Sequence, residues 1–202
     1  VIKSIIFDAG RVLVTDVPLK KIAEELSQET SMSQVELHSY LYPNEHWTKL
    51  TLGQISEDKY WDHFLEASKV DIDKKALKEM VRNALRPIAD NVKLIPLLKD
   101  RYQLSILSNH AKEWSQFMRE EFDFFRYFQQ IIFSCDVGLR KPDPKMYKLV
   151  LERLGSQPDE CLFVDDKRRN TNGAEELGMK TITLEDTSGL RGELLRAGIK
   201  LF

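Results

Sequence analysis

Hydrophobic and polar positions alternate along this chain in two different rhythms, and the change of rhythm divides it. Residues 4–7 (SIIF) form a short apolar run of the kind that a strand buried on both faces requires, and the run stops at Asp8. From about Pro18 to Leu85 almost every segment instead spaces its apolar residues by three and four. KKIAEEL, SQVELHSYL and SEDKYWDHFLEA are predicted helices, with Ser33 and Ser56 as N-caps, and no strand is expected in this stretch. After Arg86-Pro87 the rhythm becomes an alternation of strands and helices. A helix near NVKLIPLLK precedes strand QLSILS, helix KEWSQFMREEF, strand QIIFS, helix KMYKLVLERLG, strand CLFV, helix NTNGAEELG, strand KTITL and helix GLRGELLRAG.

Such alternation predicts an α/β protein: a Rossmann-like, doubly wound parallel sheet with helices on both faces. The strand-free block reads as an α-helical cap, residues 16–86, inserted into a core made of residues 1–15 and 87–202, with Arg86-Pro87 marking the return crossing. No repeat, low-complexity tract or flexible linker interrupts the pattern.

Composition adds limits rather than chemistry. A chain of 202 residues that is 42% hydrophobic and 31% charged can bury one sizeable core with an inserted subdomain. A net charge of −2 gives no general attraction to nucleic acid or to anionic lipid, so no nucleic-acid or membrane partner is expected; the chain is expected to be a monomer or a weak homodimer. Two cysteines, Cys135 and Cys161, are too few for a disulfide framework and read as buried free thiols. The first apolar run is too short for the central region of a signal peptide, and no run approaches 18 apolar residues, so the expected location is cytoplasmic.

In an open parallel sheet the ligand crevice lies at the carboxyl ends of the strands. The first strand delivers Asp8 there; the second delivers Ser108, Asn109 and His110. Lys141 follows the third in GLRKPDP, and the fourth delivers Asp165 and Asp166. Three carboxylates at one edge repel strongly unless they are compensated. A divalent cation with hard oxygen ligands provides that compensation, and Mg²⁺ suits the donor set better than Zn²⁺. Lys141 adds a fixed positive charge, while Ser108 and the Asn109 backbone amide add donors for phosphoryl oxygens. A carboxylate beside a metal and a lysine can attack phosphorus in line and form an aspartyl-phosphate.

The order FDxG, SN, KP and DD, with Asn170 following and a helical insert between the first and second motifs, resembles the haloacid dehalogenase-like hydrolase superfamily over nearly the whole chain. That resemblance implies Asp8 as nucleophile, Ser108 and Lys141 as holders of the phosphoryl group, and Mg²⁺ bound by Asp8, the Gly10 carbonyl and Asp166 with Asp165 assisting. Asn170 is expected to orient the acidic loop. The implied activity is hydrolysis of a small phosphorylated metabolite.

Gly10 departs from the pattern. Phosphatases of this superfamily usually carry a second aspartate there, which protonates the leaving alcohol and then activates water. A positioned acid or base is typically worth about 10²–10⁴-fold in rate. Three remedies fit: a substrate with a good leaving group, such as an anomeric sugar phosphate; a substitute acid from His110, Asp16 or the helical insert; or slow turnover. The DxG form resembles a subgroup that includes α-D-glucose-1-phosphate phosphatases, although Arg11 stands where that subgroup often carries asparagine or glycine. His46 and Trp47, before the turn LGQIS, face either the substrate or the packing of the insert. Two other readings stand beside the phosphatase: a 2-haloacid dehalogenase, which needs no metal, and a non-catalytic phospho-ligand-binding protein that has lost its acid at Gly10.

Overall fold

Ile5, Ile6 and Phe7 lie in the central strand of a five-stranded parallel sheet in the computed structural model, which describes residues 1–201. The strands are β1 (Ser4–Phe7), β2 (Gln103–Ser108), β3 (Gln130–Phe133), β4 (Cys161–Asp165) and β5 (Lys180–Thr183), in the spatial order β3-β2-β1-β4-β5. Successive side chains of a strand point to opposite faces. Ile5, Phe7, Leu104, Ile106, Leu162 and Val164 therefore enter one apolar cluster, while Ile6, Leu107 and Phe163 enter another. Both faces are covered, which is why these strands read as unbroken apolar runs rather than as alternations.

The second cluster is closed by α10 (Pro144–Leu154), through Met146, Tyr147 and Val150, and by α11 (Arg168–Glu175), through Ala174. The first is closed by α8 (Lys112–Glu121), through Trp114 and Met118, and by α12 (Leu190–Arg196), through Leu190 and Leu194. It then continues without a break into the helices that separate β1 from β2: α1 (Leu19–Ser27), α2 (Gln34–Leu41), α3 (Glu45–Thr51), α4 (Glu57–Ser68) and α5 (Lys74–Ala84). Ser33 and Ser56 cap α2 and α4, and Ser33 forms a reciprocal capping box with Glu36.

The chain leaves the sheet and returns to it side by side. Thr15 N–H donates to the Arg86 carbonyl at 2.9 Å, Thr15 Oγ1 donates to the Ala84 carbonyl at 2.5 Å, and Ile88 N–H donates to the Leu13 carbonyl at 2.8 Å. The helices between these crossings also touch the sheet side directly. Buried Glu57, the first residue of α4, accepts hydrogen bonds from the indoles of Trp61 (3.3 Å) and of Trp114 on α8 (2.8 Å), and pairs with Arg82 at 3.1 Å. Gly53, at φ +70°, brings the turn after α3 so close to Cys135 that a Cβ there would lie 2.5 Å from the Cys135 carbonyl oxygen.

Three local expectations change. The helix expected at NVKLIPLLK is two single turns, α6 (Ala89–Val92) and α7 (Ile95–Leu98), because Pro96 has no N–H to continue the ladder and sits instead in the first turn of α7. Ser134 does not end a strand: it opens the short α9 (Ser134–Val137), and its hydroxyl donates to the Thr51 carbonyl at 2.5 Å and accepts from His110 N–H at 3.0 Å. Cys135 is only partly buried, whereas Cys161 is fully buried; both are free thiols whose pKa burial pushes up to about 11. No helix among the described residues is long and apolar enough to cross a membrane.

Candidate active site at the carboxyl edge of the sheet

The register pairs Phe7 with Val164, so the residues that follow, Asp8 and Asp165, stand level at the carboxyl edge. Ser108 ends β2 beside them, and the loop after α9 brings back Lys141. Asn109 fixes that loop with two backbone contacts: its Oδ1 accepts from Lys141 N–H and its Nδ2 donates to the Lys141 carbonyl, both at 2.9 Å. The lysine side chain is thereby aimed inward and wholly buried.

Lys141 Nζ lies 3.0 Å from Asp8 Oδ1 and 2.6 Å from Asp165 Oδ2. Burial alone would lower the lysine pKa, but the carboxylates of Asp165 and Asp8 outweigh it, and the net direction is up. The ammonium is thus a permanent charge at the floor of the site. Asp8 Oδ1 also accepts from Ala9 N–H at 2.7 Å, so two donors hold that oxygen.

The two neighbouring acids of the fourth strand have different surroundings. Asp165 is fully buried and its oxygens are engaged: Asn170 Nδ2 donates to both, at 2.9 and 3.0 Å, Lys167 N–H donates to Oδ1 at 2.8 Å, and Lys141 takes Oδ2. Asn170 is held in turn by Tyr147, whose hydroxyl donates to the Asn170 carbonyl at 2.8 Å. Asp166 opens onto a cleft, where its Oδ2 meets Arg11 Nε at 3.1 Å. Burial raises the pKa of both acids; for Asp165 the Lys141 charge opposes that most, and for Asp166 the Lys167 charge does.

One carboxylate oxygen from each of Asp8, Asp165 and Asp166 lies within 4.8 Å of the others. All three are hard oxygen donors, and a divalent cation of the Mg²⁺ kind fits such a set. Asp8, Gly10 and Asp166 line the cleft; Asp165 stands behind them and holds Lys141.

The cleft also brings together Ser108, Asn109, His110, Asn170, Asp16 and Trp47. Trp47 reaches it from α3, packed edge-on against Tyr42 at a centroid distance of 5.3 Å and tilted against Trp114 at 5.8 Å. His46, one residue earlier, stacks on His63 at 3.3 Å and is not among the residues lining the cleft. His110 is buried edge-on against Trp114 and Phe133, and burial, reinforced by the charges of Lys167 and Lys141, pushes its pKa down to about 3. Its imidazole stays neutral at physiological pH and holds no acid proton to give. Exposed Asp16 remains at the rim.

Gly10 needs no special backbone: a Cβ built there meets nothing within 4 Å. Its neighbour Arg11 does, with φ at +59°, a left-handed conformation uncommon for a non-glycine residue. Arg11 and Lys167 line the cleft although sequence reasoning assigned them no role. The run of three cations directly after the acid pair, Lys167, Arg168 and Arg169, was the available signal for Lys167.

Comparisons with known proteins agree with this geometry. Residues 5–184 match the family described as haloacid dehalogenase-like hydrolase. Flavin mononucleotide hydrolase 1 of Arabidopsis thaliana is 28% identical over 156 residues, covering 77% of this chain and 63% of that protein. Glyceraldehyde 3-phosphate phosphatase of Pyrococcus furiosus is 34% identical over 92 residues, covering 44% of this chain and 38% of that protein. The chain thus matches less than two thirds of the length of either relative. A haloacid dehalogenase family enzyme of Bacteroides thetaiotaomicron, crystallised with magnesium and inorganic phosphate, shares the fold with a TM-score of 0.74 at 22% identity, over 91% of this chain and 94% of that one. On the match spanning residues 5–184, with its motifs gathered at one sheet edge, this chain belongs to the haloacid dehalogenase-like hydrolases.

Proposed function

We propose that the chain is a magnesium-dependent phosphatase that hydrolyses a small phosphorylated metabolite through an aspartyl-phosphate on Asp8. The observation that carries this reading is Lys141 Nζ, buried between Asp8 Oδ1 at 3.0 Å and Asp165 Oδ2 at 2.6 Å, beneath a cleft that also exposes Asp166. The sequence similarity to a flavin mononucleotide hydrolase and a glyceraldehyde 3-phosphate phosphatase supports the phosphatase class.

In this reading Mg²⁺ is held by Asp8, the Gly10 carbonyl and Asp166, with Asp165 assisting through its grip on Lys141. When bound, the ion would supply positive charge that offsets the repulsion between an anionic phosphoryl group and an anionic nucleophile. Lys141 and Ser108 hold phosphoryl oxygens, with the Asn109 backbone amide as a further donor. The free carboxylate oxygen of Asp8 attacks phosphorus as the bond to the leaving oxygen breaks. Water then attacks the phosphorus of the acyl phosphate, releasing phosphate and returning Asp8 to its carboxylate.

Asn170 keeps the β4 loop in register by fixing Asp165. Residues 16–86 act as a cap on a core of 1–15 and 87–202, and Trp47 and Val17 bring the cap to the cleft, which favours small metabolites over folded phosphoproteins. Because Gly10 has no side chain and His110 is neutral, no acid on the cleft floor protonates the leaving oxygen. The chemistry therefore favours a good leaving group, such as that of an anomeric sugar phosphate.

The missing acid also favours one second reading, a phospho-ligand-binding protein without turnover. A 2-haloacid dehalogenase needs no metal, and Asp166 would then stand in the cleft with only Lys167 and Arg11 as countercharge. The deciding experiment is phosphate release from p-nitrophenyl phosphate. Release should require Mg²⁺, stop with EDTA and vanish in Asp8→Asn, while the variant keeps its far-UV circular dichroism spectrum. Turnover that survives EDTA, or that persists in Asp8→Asn, overturns the proposal.

A further inference from the structure

Beside the catalytic cleft, on the other side of Trp47, is a second pocket of about 380 Å³ at the seam between α3 and the core. Its walls include Tyr42, Trp47, Thr48, Arg140 and Arg169. Arg140 directly precedes Lys141, and its side chain donates from Nη1 to Thr48 Oγ1 at 3.0 Å. Arg169 is exposed in the first turn of α11. Among the described residues, neither Arg140 nor Arg169 has a carboxylate within 4 Å; other arginines share that, but these two line one pocket.

The pocket's one acid, Asp143, caps α10 by accepting from Lys145 N–H at 2.9 Å. Arg140 is half-buried, and both its burial and the adjacent Arg169 work against its charge. Two like charges gathered at a partly desolvated seam repel each other unless an anion joins them. Guanidinium groups are suited to that task, because each offers parallel N–H donors matched to a carboxylate or a phosphate.

We propose that Arg140 and Arg169 form a subsite for a second anionic group on the substrate, a carboxylate or a phosphate, across Trp47 from the phosphoryl group that is cleaved. This rests on the phosphatase reading and narrows it: the preferred metabolites carry two anionic groups, and neutral polyol or sugar monophosphates are poor substrates. A bisphosphate whose scissile phosphate is anomeric would meet both this requirement and the leaving-group requirement set by Gly10.

Matched pairs test the subsite. Glucose 1-phosphate is compared with glucose 1,6-bisphosphate, and glycerol 3-phosphate with 3-phosphoglycerate, by kcat/KM in Mg²⁺ for the wild type and for Arg140→Gln, Arg169→Gln and the double variant. The wild type should favour the doubly anionic member of at least one pair by about tenfold or more, since charge-assisted hydrogen bonds are the strong ones. The double variant should lose that preference, and raised ionic strength should narrow it in the wild type.

Binding of the same pairs to Asp8→Asn, measured by calorimetry, separates the two proposals. Bisphosphate binding to Asp8→Asn that weakens on Arg169→Gln, together with a wild type that turns over neither pair nor p-nitrophenyl phosphate, keeps the subsite and rejects the phosphatase. Turnover with no preference in either pair, or with a preference unchanged in the double variant or insensitive to salt, overturns the subsite.

Discussion

The floor of the candidate active-site cleft and the seam beside it hold charges under opposite conditions. At the floor Lys141 faces Asp8 and Asp165, and Asp165 is further bound by Asn170 and the Lys167 backbone. At the seam Arg140 has only a threonine hydroxyl, and Arg169 has no carboxylate among the described residues. Both regions are built from core loops leading out of the same sheet edge. The difference is that floor charges are neutralised within the chain, so they are oriented before any substrate arrives, whereas seam charges are complete only with something the chain does not supply. Charge satisfied from within serves positioning, and charge left open serves recognition.

Removing the floor's lysine should break the comparison most severely. Lys141→Met preserves length and apolar stem but leaves Asp8 and Asp165 facing each other in a buried site. Breaking a buried ion pair from one side costs about 3–5 kcal/mol. Urea unfolding should show a loss of that order, and phosphate release should fall to background. A variant as stable as the parent would mean that the floor is not held together by its own charges.

Adding a charge to the floor is the next largest perturbation. An aspartate side chain has room at Gly10, where a Cβ meets nothing within 4 Å and the backbone is not left-handed. Arg11 and Lys167 stand in the same cleft as countercharge. Gly10→Asp should raise kcat for alkyl phosphates by about 10²-fold, the lower end of what a positioned acid contributes. The gain for sugar 1-phosphates should be smaller, because their leaving group needs less help. Equal gains for both classes would show that leaving-group protonation is not what the floor lacks.

The two regions also differ in how far the sequence discloses them. Asp8, Ser108 and Asp165 end apolar runs, and a run that stops at a polar residue marks a strand's carboxyl end, so the sheet edge is legible from local pattern alone. The parallel order then gathers those ends without further information. The different surroundings of Asp165 and Asp166 are not legible, because adjacent residues alternate faces and only the packing of Asn170 and Lys141 decides which acid is buried.

The seam is hidden for a related reason. It depends on Glu57 meeting Trp114, on Ser134 meeting Thr51 and on Gly53 meeting the Cys135 carbonyl, contacts that each join a residue of the helical block between β1 and β2 to one more than 50 positions later in the chain. Helical periodicity reports which face of α3 and α4 is buried but not which loop it is buried against. Arg140 and Arg169 therefore read as ordinary solvated cations until the fold sets them in one pocket.

The smallest effect is the sharpest separator. Arg169→Gln removes one of two like charges from the seam and orphans no carboxylate, so the substitution should change stability by no more than about 0.5 kcal/mol, and in the stabilising direction. Relief of repulsion is screened by salt, so any gain in thermal midpoint should shrink as ionic strength rises. The opposite outcome, a clear loss of stability on removing Arg169, would mean that an acid within the chain does neutralise it. The seam would then be a structural network of the same kind as the floor, and the distinction between positioning charge and recognition charge would fail at this site.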